Sequence, residues 1–161
     1  MPDTGVGEER KVVTILFADV IGSTALGEQL DPERLRALLG VYFAAMAKII
    51  QSWGGTVEKY IGDAVMAVFG IPVVHEDDAE RALRAALEMR RRLAELNADF
   101  ERQHHVTLGV RIGVNTGEVI APGGPAPDQG FVAGDPVNTA QRLEAAADPG
   151  EIGRASCRER V

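Results

Sequence analysis

The sequence predicts an α+β fold, with elements in the order β-α-β-β-α-β. Three observations carry this. Two long segments repeat apolar residues at helical spacing, β-prone runs precede, separate and follow them, and two of those runs are joined by a Gly-Asp pair. That order is the ferredoxin-like arrangement, an antiparallel sheet with two helices on one face. With 161 residues, 45% of them hydrophobic, the chain can close one domain around a core.

The elements follow in order. Residues 1–10 are polar and Gly-rich and are expected as a disordered tail. Lys11 to Phe17 reads as a buried strand ending at Ala18-Asp19, with a turn at Val20-Ile21-Gly22-Ser23-Thr24. From Pro32 to Trp53, Leu35, Leu38, Leu39, Tyr42, Phe43, Met46, Ile49 and Ile50 recur at helical spacing; Pro32 suits the first turn and Gly54-Gly55 stops the helix. Thr56–Ile61 and Ala64–Phe69 flank Gly62-Asp63, a hairpin signal, because glycine takes a positive φ without steric cost. Gly70-Ile71-Pro72 ends the second hairpin strand. Asp77 or Asp78 can cap a second helix, with Ala82, Leu83, Ala86, Leu87, Met89, Leu93 and Leu96 on its apolar face, reaching about Gln103. Val106 to Val114 is a fourth strand, and Gly117 to Ala121 continues it or starts a fifth. Pro122 to Gln129 is a loop and Phe131-Val132-Ala133 a short strand. A further helix runs from Val137 to about Ala147, with Asp135 at N-cap and Pro136 at N1. No internal repeat is visible.

Charge and composition narrow the function classes. A net charge of −7 argues against broad attraction to nucleic acid or anionic lipid, while leaving room for a nucleotide held by local cations. No uninterrupted apolar run reaches the ~18 residues of a membrane span, and the N-terminus has no apolar signal-peptide region. Direct membrane insertion is therefore not expected. The single cysteine, Cys157, forms no internal disulfide, which fits a cytoplasmic location.

Four places carry chemistry. Asp19 ends a strand before a Gly turn with hydroxyls, Gly22-Ser23-Thr24. Such a carboxylate can hold a divalent cation beside phosphates, the turn's N–H groups can take phosphate oxygens, and the Val20 carbonyl can add a hard ligand. Asp63 sits at the hairpin tip with Lys59 four residues back. By itself this reads as an ordinary turn with a solvated lysine, but the fold order brings Asp63 near Asp19, and two converging carboxylates suit a two-ion phosphoryl site. Arg111 lies amid apolar strand residues, as a structural ion pair or a phosphate clamp. Asn138 and Arg142 are four apart on one helix face, either plain surface or a donor and a guanidinium aimed at one polar group.

Phe17-Ala18-Asp19-Val20-Ile21-Gly22-Ser23-Thr24, Glu58-Lys59-Tyr60-Ile61-Gly62-Asp63, Arg111-Ile112-Gly113-Val114-Asn115-Thr116-Gly117 and Gly134-Asp135-Pro136-Val137-Asn138-Thr139-Ala140-Gln141-Arg142-Leu143 together resemble the class III adenylate/guanylate cyclase catalytic domain. The resemblance covers about Lys11 to Glu151. It implies the nucleotide cyclase fold, a homodimer with active sites at the subunit interface, and conversion of ATP, or alternatively GTP, to the 3′,5′-cyclic nucleotide and pyrophosphate. Asp19 and Asp63 would bind two divalent cations, Mg²⁺ or Mn²⁺. Lys59 would contact the purine, Arg111 phosphate, and Asn138 and Arg142 would stabilise the transition state. The stretches Ser23–Glu28 and Val73–Ala79 look bacterial and resemble cyclase domains that precede ATPase and helical-repeat regions in large regulators.

Two departures from the family matter. Where many adenylyl cyclases carry an Asp that reads the purine, this chain has Phe131, which cannot accept a hydrogen bond from the adenine amino group. The family's further C-terminal strands, with their phosphate-binding lysine, have no counterpart here. A nucleotide-binding regulatory domain without turnover and a pure dimerisation module are the other classes; the second has no need of Asp19, Asp63, Asn138 and Arg142 together. Finally, Glu151 to Val161 are encoded by codons that look like a sequencing-adapter sequence read as protein. Residues 152–161 are therefore set outside the domain, which is taken as 11–151; a genuine basic tail is the other reading.

Overall fold

The computed structural model describes residues 8–122 and 135–154. Five strands form one sheet in the order β2-β3-β1-β4-β5. The central strand is β1 (Glu8–Ile21), antiparallel to β3 (Ala64–Phe69) on one side and to β4 (Gly109–Pro122) on the other. Its sequence is a near-continuous apolar run because both of its faces are covered. Leu16, Ala18 and Val20 join the core beneath two long helices, while Val13, Ile15 and Phe17 join a smaller core on the opposite face.

β1 is longer than the apolar run suggests. Glu8 to Arg10, expected in a disordered tail, pair with Ile120 to Pro122, and Asp19 to Ile21 pair with Gly109 to Arg111. The backbone ladder continues through Val20 and Ile21, past the strand's expected end at Asp19. Val20 to Thr24, expected as a turn, give way after Gly22 (φ 77°) to α1 (Ser23–Gln29), which turns Leu26 inward, with Leu30 buried behind it. Seven residues containing a glycine leave too short a periodicity to be read as a helix.

α2 (Pro32–Ser52) matches expectation closely. The Asp31 carboxylate accepts the Arg34 N–H at 2.9 Å, Pro32 opens the helix, and Leu38, Tyr42, Met46, Ile49 and Ile50 are buried. By length and composition α2 could cross a membrane; here that apolar stripe packs into the core. β2 (Thr56–Ile61) and β3 form the hairpin read from Gly62-Asp63, with Gly62 at φ 57°. α3 (Asp78–His104) has Asp77 at its N-cap, but the Asp77 side chain caps nothing. Asp78 instead accepts the His75 N–H at 2.7 Å, closing the turn before the helix. Val106 and Leu108 are buried but precede β4, Leu108 being pinned by both ends of the Asn97 amide at 2.8 and 2.9 Å. Of the two readings of Gly117 to Ala121, continuation holds: Gly109–Pro122 is one 14-residue strand.

α4 (Asp135–Ala146) covers the second face of the sheet. The sheet is thus sandwiched, with α2 and α3 on one side and α4 on the other. The approach of α4 is backbone to backbone: a Cβ on Gly113 would stand 2.3 Å from the Ala140 carbonyl oxygen and 2.4 Å from the Glu144 nitrogen. Ile152–Arg154, which the sequence sets outside the domain, form β5, parallel to Ile112–Val114. Pro122, expected to open a loop, ends β4; the rest of that loop to Gln129, the Phe131–Ala133 strand and Gly134 lie outside the described residues.

Candidate active site

Alternation along β1 places Asp19 on the same face as Val13, Ile15 and Phe17, the face that α4 covers. Its register neighbours are Ala64 on β3 and Arg111 on β4. The hairpin tip is tied to this strand end by the Val20 N–H, which donates to the Asp63 carbonyl at 3.2 Å. Asp63 is half-buried there, close enough for its charge to act on Asp19. Burial pushes the Asp19 carboxyl above its ordinary value; Arg111 pulls it down and Asp63 pushes it up again.

Arg111 stands across from Asp19 but also engages α4. Its Nε lies 3.5 Å from Oε1 of Glu144, and its Nη1 donates to the Ala145 carbonyl at 3.3 Å. Both ion-pair atoms are buried and outside hydrogen-bonding geometry. Glu144 is 6% exposed, and its carboxyl is pushed up by burial and by Asp19, and drawn down by Arg111. Glu144 is the residue that sequence reasoning missed. Its signal is an acid four residues after Ala140 on the buried stripe of α4. On the far side of the sheet, the buried Tyr42 hydroxyl has no hydrogen-bond partner among the described residues, and burial and the Asp19 charge push its ionisation far up.

Lys59 reaches the α4 face through a bulge. Val57 opposes Ala67 and Lys59 opposes Met66, leaving Glu58 over. In a regular strand Val57 and Lys59 would share a face; the extra residue sends Val57 to the helical core and turns Lys59 to the face of Met66, where it is exposed. Asn138 and Arg142 are also exposed, on the outer side of α4, turned away from buried Ala140 and Glu144. One chain therefore brings together Asp19, Asp63 and Arg111, but leaves Asn138 and Arg142 facing outward, away from them. Gly22 has a left-handed backbone at the start of α1. The Ser23 and Thr24 side chains and Phe131 lie outside the described residues.

The donor set at the strand end fits hard divalent cations. Two like-charged carboxylates held close, one of them destabilised by burial and by the other, gain from a cation between them. Among the described residues no group of three or more His, Cys, Asp or Glu could hold a metal. Remaining ligands would have to be backbone carbonyls such as that of Val20, or oxygens of a bound substrate.

Comparison with known proteins agrees with this geometry. Residues 6–156 match the adenylate and guanylate cyclase catalytic domain. An adenylate cyclase of Anabaena cylindrica is 34% identical over 148 residues, 88% of this chain and 28% of that protein. The adenylyl cyclase CyaB from P. aeruginosa superposes with a TM-score of 0.83 at 36% identity, over 91% of this chain and 77% of that one. The guanylyl cyclase Cya2 superposes with a TM-score of 0.86 at 35% identity, over 94% and 78%. The chain spans about a quarter of the length of the curated relatives it matches, 28% and 21% of the first two. The fold is thus shared with solved cyclases, and the chain belongs to the class III adenylate and guanylate cyclase catalytic domain family.

Proposed function

We propose that this domain converts ATP to 3′,5′-cyclic AMP and pyrophosphate, using two divalent cations at sites shared by two copies of the chain. The observation that carries this is the division of polar groups within one chain. Asp19, Asp63 and Arg111 gather at one strand end, while Asn138 and Arg142 face outward on the opposite side of α4. A two-fold pairing of chains can set the outward half of one against the inward half of the other.

In that arrangement Asp19 and Asp63, with the Val20 carbonyl, would hold Mg²⁺ or Mn²⁺. Bound there, the cations would lower the pKa of the ribose 3′-hydroxyl and steady the triphosphate. The turn at Gly22, with Ser23 and Thr24, would offer N–H groups to phosphate oxygens, and Arg111 would add a guanidinium. The 3′-hydroxyl would release its proton to solvent as its oxygen attacks the α-phosphorus, the bond from that phosphorus to the bridging oxygen would break, and pyrophosphate would leave with that oxygen. Asn138 and Arg142 of the second chain would stabilise charge developing on the α-phosphoryl group, and pre-positioning would supply much of the remaining rate. Lys59 would donate to a purine ring acceptor and so favour ATP.

A second reading, cyclisation of GTP, is favoured by the structural likeness to the guanylyl cyclase Cya2 and by Phe131 at the position where many adenylyl cyclases read adenine. Assay with ATP and GTP, each with Mn²⁺, separates the two. Asp19→Ala and Asp63→Ala should each lose about a hundredfold or more in rate, since charge stabilisation by a bound metal is worth several kcal/mol. A folded variant of either kind that keeps a substantial fraction of the parent rate would contradict the metal assignment.

A further inference from the structure

Arg111 stands between two carboxylates. Asp19 is directly across from it on the neighbouring strand, and Glu144 approaches from α4. Left to itself, a guanidinium beside a half-buried carboxylate forms a bidentate ion pair and takes up the oxygens that a cation would use. The structure shows another outcome. The Arg111 head is drawn toward α4, with Nε against Glu144 at 3.5 Å and Nη1 on the Ala145 carbonyl at 3.3 Å, and no hydrogen bond or ion pair to Asp19 is found among the described residues. Glu144 can hold it there because α4 is seated with almost no freedom: its backbone rests on Gly113, two residues along β4 from Arg111.

We infer that Glu144 is a positioning residue that holds Arg111 away from Asp19 and so keeps the Asp19 carboxylate available to a divalent cation. The same contact fixes Arg111 relative to α4, the helix whose outer side carries Asn138 and Arg142. The inference rests on the reading of Asp19 as a metal ligand, and its test is arranged so that the two fail separately.

The test is Mn²⁺ binding to the nucleotide-free 161-residue chain, followed by the electron paramagnetic resonance signal of free Mn²⁺, with thermal melting as the check on folding. Glu144→Asp keeps the charge but withdraws the carboxylate by one methylene, releasing Arg111. Its Mn²⁺ dissociation constant should rise by about 10- to 100-fold, the usual effect of disturbing a group that orients a metal ligand. Glu144→Gln should do at least as much. In an Arg111→Gln background there is no guanidinium left to hold off, so Glu144→Asp should change the dissociation constant little. Equal losses in both backgrounds, or none in Glu144→Asp while the parent binds and Asp19→Ala does not, would overturn the role given to Glu144 and leave the metal reading standing. A parent chain whose Mn²⁺ binding is indifferent to Asp19→Ala would overturn both. If Glu144→Asp does not fold, the Glu144→Gln/Arg111→Gln pair, which buries no charge, carries the comparison: affinity restored to that of Arg111→Gln supports the role, and a persistent loss overturns it.

Discussion

Single side chains at the strand end meet opposed demands. Folding partly buries Asp19 and sets it near Asp63, and both raise its carboxyl against the pull of Arg111. The folded chain therefore holds this proton more tightly than the unfolded one. The resulting stability is fully present below the unfolded carboxylate pKa, about 3.9, and is lost as pH rises through the raised folded value. Glu144 shifts in the same direction. Asp19→Asn, which cannot ionise, should thus melt above the parent at pH 7 in EDTA, and the gap should close below about pH 3.5. Added Mn²⁺ should raise the melting temperature of the parent and leave that of Asp19→Asn nearly unmoved. An Asp19→Asn chain that melts below the parent at pH 7 would contradict the burial cost. Lys59 belongs to the same scale. If it donates to the purine, Lys59→Glu should lower ATP turnover by roughly 10- to 100-fold, equivalent to ~1–3 kcal/mol for a buried partner left unpaired, and should narrow the preference over GTP. Unchanged kinetics with both nucleotides would make Lys59 a surface residue.

Among the elements, α4 depends most on what lies beneath it. Gly113→Ala would push a methyl group to within 2.3 Å of the Ala140 carbonyl and 2.4 Å of the Glu144 nitrogen, contacts that only a lifted helix can relieve. Overpacking of this kind costs roughly 1–3 kcal/mol, and more where backbone must move, so urea unfolding should show at least that loss. Stability equal to the parent would mean that α4 sits less tightly than described. The sequence made much of this architecture legible. The Gly62-Asp63 turn, the Pro32 start of α2 and the order of the elements follow from local chemistry that the fold does not override. The bulge at Glu58 was not legible, because a bulge is a property of two paired strands and leaves no mark on composition. Nor was α1, whose seven residues owe their helix to Leu26 finding the core. Of the candidate site, Asp19 and Asp63 could be brought together from topology alone. Glu144 could not, since its meaning comes from Arg111, 33 positions earlier and joined to it only by the seating of α4.

In the proposed dimer, the whole molecule works because one chain holds two different half-sites. The hairpin carries Asp63 at its tip and, through the bulge, Lys59 on the face of Met66; α4 carries Glu144 inward and Asn138 and Arg142 outward. A two-fold dimer uses the same surface from both chains, so each hairpin and each α4 can serve two sites. The most direct measurement mixes an Asp63→Ala chain with an Arg142→Ala chain under conditions of subunit exchange and assays cyclic nucleotide formation. Each chain alone should be inactive. In an equal mixture about half of the dimers pair unlike chains, each with one intact and one doubly damaged site, so about a quarter of the parent activity should return if sites act independently. A mixture in which differential tagging shows heterodimers, and which nevertheless stays inactive, would contradict independent sites built from two chains, and activity from the parent as a monomer would exclude shared sites altogether.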